Sequence, residues 1–164
     1  MDKTLAIIWY SYTDGSRQLA EAARDGAQEA GGVNLRYLAA KDAQTADLLD
    51  ADGYIFACPE NLAAIAGVMK AFFDRTYYGV LGKIEGRPYA AMICAGSDGT
   101  NAQRQLERIA TGWRLKRVAE TAIFNTHAQT KEEILTPKVI GEAELAAARE
   151  LGATLAAGLE MGVF

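Results

Sequence analysis

Trp9-Tyr10-Ser11-Tyr12-Thr13-Asp14-Gly15-Ser16-Arg17 joins a strand-like run to a helix-like run through a cluster of small hydroxyl side chains, and its reading decides the fold. Before it, residues 4–8 are apolar enough for a buried strand. After it, Leu19, Ala22, Ala23, Gly26, Ala27 and Ala30 recur at the spacing of one helical face. The loop therefore falls at a helix N-terminus, where unpaired amides and the helix dipole attract an anion. Ser11, Thr13 and Ser16, with Asp14 and Gly15 between them, form a candidate anion loop whose hydroxyls orient a phosphate without a formal positive charge. The glycine spacing of a dinucleotide loop is missing, as is the Gly-Lys-Ser/Thr ending of a nucleotide triphosphate loop. An ordinary strand-to-helix turn capped by Asp14 or Ser16 is the alternative reading of the same residues.

Outward from this junction, strands and helices alternate. Residues 33–38 read as a second strand, 43–51 as a short helix, and 53–58 as a third strand ending at Pro59. Ile65, Val68, Met69, Phe72 and Phe73 keep helical spacing up to Gly79 and Gly82. Residues 89–94 form a fourth strand, and the loop Ala95-Gly96-Ser97-Asp98-Gly99 follows it. A helix carrying Ala102, Leu106, Ile109, Ala110 and Trp113 leads to a fifth strand at 118–124, and Leu145, Ala148, Gly152, Leu155 and Leu159 mark the last helix. Strands separated by helices imply an α/β fold with a parallel sheet and right-handed crossovers. In such sheets the ligand sits beyond the carboxyl ends of the strands, where the winding reverses. If the strands are ordered 2-1-3-4-5, the loops at 11–16, 59–66 and 96–100 lie together at that point.

With 164 residues, the chain reads as one domain over 1–164, long enough to cover both faces of a sheet. The net charge of -4 is mild and only residues 104–117 are locally basic, so no nucleic-acid partner is expected. No apolar run approaches the roughly 20 residues that span a bilayer. Met1-Asp2-Lys3 enters a strand without a signal-peptide pattern. The expectation is a cytoplasmic protein with no membrane contact. Cys58 and Cys94 lie in apolar strands without metal-ligand spacing and read as small buried hydrophobes, so no metal is expected.

The segment Cys58-Pro59-Glu60-Asn61-Leu62-Ala63-Ala64-Ile65-Ala66-Gly67-Val68-Met69-Lys70-Ala71-Phe72-Phe73-Asp74-Arg75 resembles the isoalloxazine loop and following helix of the flavodoxin-like NAD(P)H-dependent oxidoreductases, which include flavin and quinone reductases. Its Pro, Gly, Lys and Asp-Arg positions match. Ser11-x-Thr13-x-x-Ser16 is similar to that family's phosphate loop, and Gly96-Ser97-Asp98-Gly99-Thr100 to its third flavin loop. The resemblance covers nearly the whole chain. It implies a flavodoxin-like three-layer sandwich, with a five-stranded parallel sheet of order 2-1-3-4-5 and helices on both faces. It also implies noncovalent FMN, with its phosphate on Ser11, Thr13, Asp14, Gly15 and Ser16. The ring would lie between Pro59, Glu60, Asn61, Leu62 and Ala63 on one side and Gly96, Ser97, Asp98 and Gly99 on the other. The implied activity is transfer of a hydride from NADH or NADPH to a quinone, free flavin or similar small-molecule acceptor. Relatives often dimerise beside the flavin, and Tyr77, Tyr78, Val80 and Leu81 are the candidate homodimer surface. The alternative is that these side chains fold back under the connection at 79–86.

Asp14 stands where that family commonly has glycine. It reads either as an outward cap, bonding the amide of Ser16 or Arg17, or as a carboxylate that repels the phosphate. Ala63 and Ala66 replace small or hydroxyl residues, leaving backbone contacts there. Glu60 reads as a partner of the flavin's pyrimidine edge or as a side chain facing water. His127 reads as a surface-loop residue, with proton donor to a reduced quinone as the catalytic alternative; no other catalytic side chain is required. Trp9 and Trp113 read as structural. Two functional alternatives stand beside the reductase: a flavodoxin-type electron carrier and a non-catalytic binding module. The mild charge and the absence of an aromatic residue from the third loop favour the enzyme.

Overall fold

In the computed structural model, which describes residues 2–164, β1 (Lys3–Trp9) splits its side chains between two cores. Leu5 and Ile7 face one, Ala6 and Ile8 the other, the period-2 signature of a strand covered on both faces. β1 feeds α1 (Gly15–Ala30), β2 (Val33–Ala39), α2 (Thr45–Leu49) and β3 (Gly53–Asn61). Then follow β4 (Ala64–Ile65), α3 (Gly67–Val80), β5 (Pro88–Ala95) and α4 (Thr100–Gly112). The chain ends with β6 (Lys116–Arg117), β7 (Ala122–Asn125), α5 (Lys131–Leu135) and α6 (Glu142–Met161). The sheet runs β2-β1-β3-β5, with β6 and β7 sharing the last place beside β5. All of these pairings are parallel. Side chains of α1 and α6 cover one face, and those of α2, α3 and α4 the other. Fully burying one Leu or Ile contributes about 1.5–3 kcal/mol, against about 0–1 kcal/mol for an exposed ion pair, so the two core layers decide the architecture.

The winding order matches the expectation, but the sheet has 7 strands rather than five, for two reasons. The fifth strand is broken. Its pieces are held to α4 by Glu107, whose Oε1 accepts from Arg117 Nη1 and Thr121 Oγ1, each at 2.7 Å. An interrupted edge also offers little template for another strand. The third strand does not end at Pro59. Tyr10 N donates to Ala57 O at 2.9 Å, and by alternation Pro59 faces the same side, where β1 has already left the sheet. The missing proline N–H therefore costs no bond to β1, and β3 continues to Asn61 and turns back antiparallel into β4, with Ala66 N donating to Pro59 O at 3.2 Å.

α1 and α6 approach so closely that a Cβ built on Gly26 would overlap the Arg149 carbonyl, and one on Gly152 the Ala23 carbonyl. Of the candidate dimer residues, Val80 is buried on the inner side of α3 and Tyr77 packs against the core, which corrects their reading as surface; Tyr78 and Leu81 are exposed. Trp9 stacks on Tyr37 at 5.6 Å and Trp113 packs edge-on to Phe73 at 5.3 Å, so both are structural. Among the described residues, no helix is long and apolar enough to cross a membrane.

Candidate functional site

The winding reverses between β1 and β3, and the loop after β1 arrives there at the N-terminus of α1. Gln18 N donates to Asp14 O at 3.1 Å as the first helical bond, so the amides of residues 15–17 lie outside the helical ladder. Ser16 is 2% exposed, and its Oγ and that of Ser11 are buried with no hydrogen-bond partner among the described residues. A buried hydroxyl left unsatisfied costs about 1–3 kcal/mol, so the loop is built around a polar guest. Gly15 is required by contact: a Cβ there would lie 2.6 Å from Cys94 Sγ at the end of β5. Asp14 adopts φ 68° and makes no side-chain cap bond, which corrects the capping expectation. Its carboxylate is drawn away by Arg17, whose Nε donates to it at 3.1 Å.

The second loop is a hairpin rather than an open loop. Leu62 and Ala63 occupy its turn with φ 51° and 60°, the left-handed pair that a two-residue turn demands. Leu62 is fully exposed at the tip. α4 holds the hairpin from behind: Asn101 Nδ2 donates to Ala63 O at 2.5 Å and Gln105 Oε1 accepts from Ile65 N at 2.9 Å. Glu60 Oε2 accepts from Gly99 N at 2.8 Å, joining this loop to the third. Gly99 caps α4 at φ 91°, and a Cβ there would lie 2.8 Å from Ile123. Asp98 accepts from the Thr100 hydroxyl at 2.9 Å, turning its charge toward α4.

Between these loops lies a cavity of about 80 Å³, room for several waters or a phosphate-sized anion. It brings together Ser11, Thr13, Gly15, Ser16, Pro59, Glu60, Asn61 and Gly96. Leu62, Ala63, Ser97, Asp98 and Gly99 stay out of its lining, on the exposed turn and the third loop, and Asp14 also lies outside it. His127 is outside this lining, in an adjoining surface recess that shares Thr126, Ala128 and Lys138 with the cavity and also holds Glu132 and Glu133; its amide bonds Asn125 Oδ1 at 2.8 Å. The remaining wall was not foreseen from sequence. It comes from Tyr12, from Cys94 and Ala95 of β5, and from Thr126, Ala128, Ile134 and Lys138 of the connection between β7 and α6. A usable signal existed in Thr130-Lys131-Glu132-Glu133, a capping-box pattern: Glu133 N donates to Thr130 Oγ1 at 3.1 Å and Thr130 N to Glu133 Oε2 at 3.0 Å, starting α5.

Burial pushes the Cys94 thiol up to about 11, with Lys138 offsetting only part of that rise, and pushes Cys58 up to about 12. Both are free thiols that stay protonated at neutral pH and offer no nucleophile. The arrangement suits binding and orientation: hydroxyls and free helix amides for an anion, and a rigid hairpin and glycine loop beside an open rim.

Residues 39–129 match the protein family described as NADPH-dependent FMN reductase. A flavodoxin of Aquifex aeolicus (strain VF5) is 30% identical over 99 residues, 60% of this chain and 53% of that protein. The chain thus matches about half the length of this curated relative. Among solved structures, a flavodoxin from the domain Archaea superposes with a TM-score of 0.77 at 14% identity, covering 96% of this chain and 99% of that one. The flavodoxin, WrbA-like protein from Agrobacterium tumefaciens gives 0.74 at 18% identity, covering 99% of each chain. At these identities the likeness shows the flavodoxin-like fold.

Proposed function

We propose, from the premise that the chain belongs to the NADPH-dependent FMN reductase family, that it is an FMN-dependent oxidoreductase acting on NADH or NADPH and a quinone, free flavin or similar acceptor. The observation that carries this reading is the pair of buried, unpartnered hydroxyls, Ser11 and Ser16, lining a phosphate-sized cavity at the start of α1. Bound there, FMN would supply the hydride and electron chemistry that links a nicotinamide to an acceptor. The chain's residues bind and orient. Ser11, Thr13 and Ser16, with the amides of residues 15–17, hold the phosphate. The hairpin at 59–63 and the loop at 96–99 would flank the ring, and Glu60 keeps the two at a set separation through Gly99. The open rim leaves space for a nicotinamide and an acceptor to bind in turn. No side chain needs to act as a nucleophile. Tyr78 and Leu81, exposed on one side of α3 and its end, are the surface this reading assigns to a homodimer.

The test is reconstitution with FMN, expected to give a yellow protein, followed by steady-state oxidation of NADH and NADPH with a quinone present. The Aquifex flavodoxin match favours a second reading, an electron carrier. Bound FMN with negligible turnover in the absence of a reductase partner would select it.

A further inference from the structure

Residues 126–140 cross the cavity as a strap whose path is set from α1. Gln18 Nε2 donates to Lys138 O at 2.6 Å, Gln18 Oε1 accepts from Ile140 N at 3.1 Å, and Lys138 N donates to Thr13 O at 2.8 Å. These bonds lay the Lys138 side chain along the anion loop. Its Cγ lies 3.6 Å from where a Gly15 Cβ would be, which places the side chain beside the loop. The ammonium is anchored on the carbonyls of Glu133 at 2.7 Å, Ile134 at 2.9 Å and Thr136 at 2.6 Å, at the end of α5. Among the described residues that line the cavity, Lys138 is the one cation and Glu60 the one carboxylate. Glu60 is engaged by Gly99.

We propose that Lys138 is the counter-charge of the anionic group entering this cavity, a strap-borne binding residue for the phosphate monoester end of the cofactor; this rests on the FMN reading above. Ser16, almost fully buried and unpartnered in the same cavity, is the independent sign of a polar guest. The division of labour is physical. Hydroxyls and amides give direction, and the ammonium at the rim adds a positive charge whose attraction salt screens. The three carbonyls occupy all three N–H donors, so the ammonium acts on the anion through its charge rather than through a hydrogen bond. Asp14, the nearby carboxylate that would oppose an anion, is already paired with Arg17.

The test titrates FMN, riboflavin and inorganic phosphate against the wild type, Lys138→Gln and Lys138→Arg, at low and high salt. Lys138→Gln keeps an amide donor for α5 but loses the charge. It is expected to weaken FMN about tenfold or more at low salt, with a smaller deficit at high salt and riboflavin within about twofold. Lys138→Arg should recover most of the loss. Inorganic phosphate should raise the melting temperature of the wild type and not of Lys138→Gln. Unchanged FMN affinity in Lys138→Gln overturns the role of Lys138 and leaves the flavin reading standing. A phosphate response that depends on Lys138, in a protein that binds no FMN, supports the anion site and overturns the flavin reading. Equal losses of FMN and riboflavin overturn the proposal, because they report a disrupted strap rather than a missing charge.

Discussion

The Glu60 carboxylate accepts the Gly99 amide at 2.8 Å across 39 residues of sequence, tying the hairpin after β3 to the first turn of α4. A carboxylate expected at the ring's edge thus spends one oxygen on setting the spacing between two loops. Glu60→Ala should lower stability by about 1–2 kcal/mol, and Glu60→Gln, which keeps an acceptor, should recover most of it. Urea unfolding checks the energy. Hydrogen exchange at the Gly99 amide should quicken in Glu60→Ala, and unchanged protection there would refute the coupling.

Ser16→Ala should raise the stability of the flavin-free protein by about 1 kcal/mol, because it removes a buried hydroxyl that lacks a partner. The same change, like Thr13→Ala, should weaken FMN by about 1–3 kcal/mol and leave riboflavin nearly unaffected. Opposite signs for stability and affinity mark a residue kept for a ligand. Thermal melts and calorimetric titration of both flavins measure the two halves.

Asp14→Gly should leave FMN affinity within about twofold, because the carboxylate already points to Arg17 with its side chain 48% exposed. Stability should rise by up to about 1 kcal/mol, since glycine adopts φ 68° without the cost a Cβ adds. A large gain in FMN affinity would show that the carboxylate turns inward.

Glu107 carries a pH signature. Burial works to raise its carboxyl, but hydrogen bonds from Thr121, Gln103 and Arg117 outweigh this and hold it below the usual 4.5. A carboxyl lowered in the folded state contributes stability that is present above its unfolded value and lost as pH falls through the folded one. Stability should therefore drop below about pH 4.5, and Glu107→Gln should lessen the slope there. Denaturant melts between pH 3 and 7 follow the difference; identical slopes would rule Glu107 out.

Gly152→Ala should destabilise by about 1–3 kcal/mol, because its Cβ meets the Ala23 backbone carbonyl and the two helices must part. An exposed glycine such as Gly112, with nothing within 4 Å of its Cβ position, serves as the control.

The alternation of strands and helices, the two core layers and the helix-start loop at Ser11 to Ser16 were legible in the sequence because each follows from local chemistry. A period of 2 or 3.6 assigns an element, and residues such as Leu5 and Ala6 already carry the face they will pack on. The winding order came with the family resemblance, on motifs that local patterning leaves in place.

What the tertiary structure alone decided lies where one segment's chemistry depends on a distant one. Pro59 reads as a strand end until β1 is seen to leave the sheet beside it, which makes its missing N–H harmless and lets the hairpin form. The broken fifth strand depends on Glu107, a residue of the preceding helix. Lys138 reaches the cavity because Gln18, 120 residues earlier, grips its carbonyl. Hydrogen bonds of this reach leave no periodic trace, since a single polar side chain looks the same in sequence whether it meets water or closes a site.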